Sequence, residues 1–327
     1  MSDSSRLLLW TAPGEQALAR SLEALGIPLD IVHDADAATA RLGEADGLVL
    51  SAAHLSSRLV DHIATDAKRL RWLHLTNAGY DNVLGSQLRN GLRITYTPGA
   101  GADTVAEHGV ALMLALARRI PQSLDNQRVA NWDYGVGAST ASLQGRTALL
   151  LGFGHIGQAL AKLLHAFGMR IVAANRSGIA HPLADLTVRF EEVETLLPAS
   201  DFVVVAAPLT SQTANFLDAG RLSLFPRRAF LVNLSRGAIV DCVALAGRLA
   251  EGAIAGAALD VTDPEPLPAG HPLWAAPNLL ITPHTAATGA APSDCARLIA
   301  ITTENARRFA RGEPLLHVID CSLRQAA

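Results

Sequence analysis

The amino-acid sequence predicts an α/β protein of two doubly wound parallel-sheet domains, and three observations carry that expectation. Short apolar runs of strand length alternate with Ala- and Leu-bearing segments of helical spacing along most of the chain. The apolar run at residues 147–151 stops at Gly152, and Gly154 and Gly157 follow. Ile156, Leu160, Leu163, Leu164 and Phe167 then recur at helical intervals, which makes a strand, a tight turn and an amphipathic helix. Finally, 327 residues exceed the roughly 250–300 over which one core grows, so two domains are expected.

Taken in order, residues 7–11, 29–33, 47–50 and 72–76 read as strands, with helical segments such as 15–25 and 56–64 between them. This first part has no glycine-rich loop and reads as a companion to a phosphate-binding domain. Its strand at 72–76 runs into the small polar turn Asn77-Ala78-Gly79. Ligands of open α/β sheets gather at the carboxyl ends of strands. The N–H groups of Ala78 and Gly79 are therefore either a hook for a carboxylate or part of a plain connecting turn. A strand at 94–97 is broken by Pro98, Gly99 and Gly101. A long helix is then expected from an N-cap at Asp103 to about Arg119. It is apolar on all sides from 110 to 117, which implies burial between domains or subunits. In the polar loop beyond it, Trp132 either reaches a site or a partner, or plugs the local core.

After the glycine motif, strands are expected at 170–174, 202–206, 229–233, 256–260 and 279–282. Helices are expected at 241–251, closed by Gly252, and at 292–311. Pro264, Pro266 and Pro268 keep residues 263–268 out of both helix and central strand.

Lys and Arg total 27 against 30 Asp and Glu, a net charge of −3, so there is no basic surplus for nucleic acid. The longest apolar stretches, 110–117 and 202–209, fall far short of the ~20 residues of a membrane span. Cys242, Cys295 and Cys321 are scattered without a C-x-x-C pair. No metal site or disulfide framework is expected, and the reading is a protein of the reducing cytoplasm.

The glycines have a physical task in their strand–helix setting. Gly152 allows the tight turn, Gly154 lets a pyrophosphate approach the backbone, and Gly157 lets helix and strand pack closely. Dinucleotide binding is the leading reading, and a packing turn is the plain one. The strand at 170–174 ends where an NAD-binding unit places an acid for the ribose 2′-hydroxyl. Here stands neutral Asn175, followed by Arg176 and Ser177. A guanidinium pairs with a 2′-phosphate that a carboxylate would repel, which favours NADP and leaves NAD second. Arg236, Glu265 and His284 each lie at a strand end or in a proline-fixed loop. Singly, each has a plain surface reading. Together they match hydride chemistry on a 2-oxo acid. Arg suits a carboxylate and a polarised carbonyl, His a proton transfer near neutral pH, and Glu the orientation of that His.

The chain resembles the D-isomer-specific 2-hydroxyacid dehydrogenases over nearly its whole length. The resemblance rests on Asn77-Ala-Gly-Tyr-Asp81, Thr104-Val-Ala-Glu-His108, Gly152-Phe-Gly-His-Ile-Gly157 and Asn233-Leu-Ser-Arg-Gly237. Leu259-Asp-Val261, Pro264-Glu-Pro266 and Thr282-Pro-His284 complete it. It implies a flavodoxin-like substrate domain of residues 1–101 and 293–327, and a Rossmann NAD(P)-binding domain of residues 102–292. Long interdomain helices, a homodimer and a closing cleft also follow from it. By the same resemblance, Arg236 binds carboxylate and carbonyl oxygen, His284 is the acid/base paired with Glu265, and Ala78 and Gly79 hold the substrate carboxylate. Thr104, Gly152, Gly154, His155, Ile156 and Gly157 would line the cofactor. Asn175, Arg176 and Ser177 would stand at its ribose, Pro208 and Thr213 along its adenosine and phosphates, and Asp260 at its carboxamide. The implied activity is NADP-preferring reduction of a small 2-oxo acid such as glyoxylate or hydroxypyruvate. Phosphite dehydrogenase and a cofactor-sensing corepressor are the alternatives. Formate dehydrogenases pair the His with Gln, so Glu265 argues against that chemistry.

Overall fold

A computed structural model describes residues 5–12, 16–80, 83, 88, 91–288 and 291–319. Asp81 and Cys321 lie outside the described residues. The chain forms two compact units, Met1–Gly101 with Ala290–Ala327, and Ala102–Gly289.

The first unit carries β1 (Leu7–Trp10), α1 (Gln16–Glu23), β2 (Leu29–Val32), α2 (Ala35–Leu42) and β3 (Gly47–Leu50). They are followed by α3 (Ser57–Thr65), β4 (Trp72–Leu75) and β5 (Arg93–Tyr96). The five strands form one parallel sheet in the order β2-β1-β3-β4-β5. The reversal beside β1 is the doubly wound pattern, and helices on both faces explain why β1, β3 and β4 are wholly apolar or buried.

The second unit carries α4 (Ala102–Ala117), α5 (Ile120–Arg128), β6 (Thr147–Leu151), α6 (His155–Ala166), β7 (Arg170–Asn175), β8 (Leu186–Arg189) and β9 (Phe202–Val205). Then come α7 (Ala219–Ser223), β10 (Phe230–Asn233), α8 (Cys242–Ala250), β11 (Gly256–Leu259) and β12 (Leu279–Ile281). Its parallel sheet runs β12-β11-β10-β9-β6-β7-β8, with the order reversing between β6 and β9. Leu112, Met113 and Leu116 of α4 and Leu160 and Leu164 of α6 pack on one face of this sheet. Leu222 of α7 and Leu245 and Leu249 of α8 pack on the other. Each fully buried Val, Leu or Phe contributes about 1.5–3 kcal/mol, so the sheet is the rigid base of every loop at its edge.

The last helix, α9 (Pro292–Arg311), returns the chain to the first unit. Its Thr302 meets buried His74 of β4, whose Nε2 lies 2.9 Å from the Thr302 hydroxyl and whose Nδ1 lies 2.7 Å from that of Thr95. Thr95 also accepts the Trp72 indole N–H at 2.9 Å. Phe309 packs on Trp72 with ring centroids 5.1 Å apart.

Four details depart from the sequence reading. Asp103 is not an N-cap but lies within the first turn of α4, where its charge opposes the helix dipole. Helix α5 has no buried residue and so no apolar stripe to betray it. Strand β8 is a half-exposed edge with the sequence Leu-Thr-Val-Arg. Trp132 is 84% exposed, which rules out the core plug. Among the described residues, no helix is long and apolar enough to cross a membrane.

Burial holds His74 at a pKa of about 3, helped by the nearby His317 charge. The unfolded chain takes up a proton here from about pH 6.5 downward while the folded chain does not. Stability should therefore fall with pH between about 6.5 and 3, by up to about 1.4 kcal/mol per unit from this group. Urea unfolding at several pH values should give a shallower slope for His74→Gln than for wild type. Equal slopes would show that His74 titrates alike in both states.

Candidate active site

Gly152 follows β6 with φ 101°, a left-handed value that only glycine takes readily, and a Cβ there would strike Ala206 and Ala207 after β9. A Cβ on Gly157 would run into the Gly152 carbonyl. Both glycines are thus demanded by backbone contact. Gly154 is different. It is exposed and caps α6 without a side-chain bond, and a Cβ there would meet nothing within 4 Å. That open space lies in front of a helix N-terminus, whose N–H groups and dipole suit a phosphate. The turn therefore fits a dinucleotide pyrophosphate. His155 is exposed at the first position of α6, Ile156 is half-buried beside it, and Thr104 is buried in the first turn of α4.

The next strand, β7, ends in a loop that Asn175 builds itself. Its Oδ1 accepts from Ser177 N at 2.9 Å, Gly178 N at 2.7 Å and the Ser177 hydroxyl at 3.1 Å. Arg176 is exposed in this loop and forms no ion pair among the described residues. After β9, the Thr213 hydroxyl donates to the Pro208 carbonyl at 2.7 Å and accepts from Thr210 N at 2.8 Å. Pro208 and Thr213 thereby close one loop.

Half-buried Arg236 stands in a turn shaped by buried Asn233, whose amide donates to the Arg236 carbonyl at 2.9 Å and accepts from Ser235 N at 3.1 Å. The Ser235 hydroxyl bonds the Ala207 carbonyl. Gly237 has no room for a side chain, since a Cβ would overlap the Thr262 carbonyl. The Arg236 loop is thus pressed against the segment that leads to Glu265. Glu265 Oε1 lies 2.7 Å from His284 Nδ1, and each side chain is almost half exposed. A carboxylate only accepts, so Nδ1 carries the hydrogen and Nε2 is not engaged by Glu265.

His284 has φ 53°, held by its N–H donating to the carbonyls of Asp260 at 2.8 Å and Thr282 at 3.0 Å. The Asp260 side chain is 1% exposed. It accepts from the Thr282 hydroxyl at 2.6 Å, Thr285 N at 2.9 Å and Ala286 N at 3.1 Å. His108 of α4 completes the set, its Nε2 3.1 Å from the Thr282 hydroxyl and 3.6 Å from Asp260 Oδ1. Nearby Cys242 is buried, which pushes its thiol pKa up.

In the first unit, the Asn77 side chain accepts from Ala52 N at 2.7 Å and donates to the Gly79 carbonyl at 2.6 Å. Ala78 and Gly79 are half-buried, and their N–H groups have no protein acceptor among the described residues.

Residues 110–286 match the family model for the NAD binding domain of D-isomer specific 2-hydroxyacid dehydrogenases. The chain is 36% identical over 266 residues to the glyoxylate reductase of Aeropyrum pernix, covering 79% of each protein. The chain belongs to the D-isomer specific 2-hydroxyacid dehydrogenase family. It is an NAD(P)-dependent oxidoreductase. A family protein from Aeromonas salmonicida shares its fold with a TM-score of 0.85 and 31% identity, over 97% of this chain and 100% of that one. A family member from Xanthobacter autotrophicus, solved in complex with NADPH and MES, has a TM-score of 0.79 and 27% identity, over 98% of this chain and 99% of that one.

Within this family member, the structure pairs Glu265 with His284 and brings the Arg236 loop onto the Glu265 segment. Asp260, expected at the cofactor carboxamide, also bonds the loop that carries His284. His108 and Thr282 were missed as parts of that loop's support. The only sequence signal was their presence in two family segments.

The two kinds of glycine should separate on substitution. Gly157→Ala should cost about 1–3 kcal/mol of stability through overpacking. Gly154→Val should keep its melting temperature but weaken NADPH binding, followed by nucleotide fluorescence, by about tenfold or more. Normal binding by Gly154→Val would remove that position from the phosphate site.

Proposed function

We propose that this chain is an NADPH-preferring reductase that converts a small 2-oxo acid, of the glyoxylate or hydroxypyruvate kind, to the D-2-hydroxy acid. The observation that carries this reading is the 2.7 Å contact between Glu265 and His284 Nδ1, which leaves Nε2 as the atom that moves a proton. The dinucleotide, when bound, supplies the hydride. The protein's own residues do the rest. Protonated His284 donates from Nε2 to the substrate carbonyl oxygen, and Glu265 holds the ring and balances its charge. Arg236 offers paired N–H donors to the substrate carboxylate and carbonyl oxygen, in accord with guanidinium geometry. Ala78 and Gly79 offer backbone N–H groups to a carboxylate. On this reading the unit Met1–Gly101 with Ala290–Ala327 binds substrate and the unit Ala102–Gly289 binds cofactor.

The NADPH preference rests on Asn175, which brings no negative charge to the ribose, and on exposed Arg176 beside it. The relative from Xanthobacter autotrophicus binds NADPH, which agrees with this reading. A homodimer in the cytoplasm is part of the proposal. Ile120, Leu124, Val129, Trp132 and Tyr134 are all exposed within one short stretch of chain, with Trp132 and Tyr134 84% and 85% exposed and in ring contact. A stretch so rich in exposed apolar side chains is better covered than solvated.

Three experiments test these assignments. His284→Ala should lower kcat by about 10²–10⁴-fold with nucleotide affinity retained, and near-normal turnover would remove it from proton transfer. A screen of 2-oxo acids with NADPH and then NADH should show activity on the smallest acids, and Arg236→Ala should abolish most of it. Unchanged activity of Arg236→Ala on every acid would unseat the carboxylate role. Arg176→Ala should raise the KM for NADPH by about tenfold or more while sparing NADH. Equal losses with both would sink the 2′-phosphate role.

A further inference from the structure

We propose that Arg189 is a second guanidinium of the subsite for the adenosine 2′-phosphate, acting with Arg176. The inference rests on the NADPH reading above. Strands β7 and β8 are parallel, and Asn175 pairs in register with Arg189. The two strands therefore end side by side at the carboxyl edge of the sheet, where doubly wound folds hold ligands. The loop after β7 is closed by Asn175 Oδ1 and turns at Gly178, with φ 68°. A Cβ on Gly178 would lie 2.8 Å from Arg189 Cγ and 3.6 Å from its Nε. The stem of Arg189 thus runs along Gly178, and its guanidinium stands at the loop that carries Arg176.

Charge supports the assignment. Both arginines are exposed, and among the described residues neither forms an ion pair. Glu192, the acid bonded to this segment, accepts the backbone N–H of Arg189 at 2.8 Å. Two guanidiniums without a carboxylate partner, beside a neutral Asn175, make a place for a dianion. The Ser177 hydroxyl already donates to Asn175, so it is poorly placed to donate to a phosphate as well. That leaves the phosphate charge to the two arginines. The bare ribose hydroxyl of NADH has no charge for them to meet.

The test compares wild type, Arg176→Ala, Arg189→Gln and Arg189→Lys. It reads kcat/KM with NADPH and with NADH, and the calorimetric affinities of 2′,5′-ADP and 5′-AMP. Arg189→Gln should lower the NADPH-to-NADH ratio of kcat/KM by about tenfold, with a matching loss of 2′,5′-ADP affinity relative to 5′-AMP. Arg189→Lys should recover part of both. If wild type discriminates and Arg176→Ala does not, yet Arg189→Gln keeps the wild-type ratio, Arg189 is not in the subsite. Equal losses with both cofactors would likewise overturn the proposal and assign Arg189 to the adenine or to loop packing. If wild type itself favours neither NADPH nor 2′,5′-ADP, the NADPH reading fails and this inference fails with it.

Discussion

The Asp260 side chain is almost fully removed from solvent, and a carboxyl group in such a place needs hydrogen-bond partners around it. The loop from Thr282 to Ala286 supplies them, with a hydroxyl and two backbone N–H groups turned inward. Asp260 sits directly after β11, a buried strand near one side of the seven-stranded sheet, so its position is rigid. The loop must therefore wrap around a fixed carboxyl group. Its backbone takes up the left-handed turn at His284 as a result, and the imidazole is delivered to Glu265. The placement of the His284 ring against Glu265 depends on a carboxyl group that sits behind its loop.

A second constraint acts through absent side chains. Gly152, Gly157 and Gly237 each stand where a Cβ would collide with another stretch of main chain. These contacts draw the loops after β6, β9, β10 and β11 together at the carboxyl edge of one sheet. Ser235 adds a side-chain staple to Ala207. Gly154 differs from these three, because a Cβ there would meet nothing within 4 Å in front of the N-terminus of α6.

Much of this was legible in the sequence, and the failures have a common origin. Parallel strands covered on both faces must be apolar throughout, so residues 202–206 and 229–233 announced themselves. Helix α5 and strand β8 bury little, so no hydrophobic pattern records them. His108 was visible in a family segment but had no assignable role, because Thr282 lies 174 residues further along the chain. Arg189 sits at the end of the unforeseen β8 and was invisible for the same reason. Asn175 was read as the place of a missing acid. It also folds the loop that bears Arg176.

By itself, the sequence determined the strand–turn–helix around Gly152, the alternation of strands and helices, the family, and the residue types available for hydride chemistry. These follow from backbone geometry and spacing, which act over a few residues. Only the tertiary structure decided that Asp260 supports the His284 loop, that Gly237 presses the Arg236 loop onto the Glu265 segment, and that Arg189 borders the Asn175 loop. Those are meetings between residues far apart in the chain. Packing decides them, and no local pattern encodes packing.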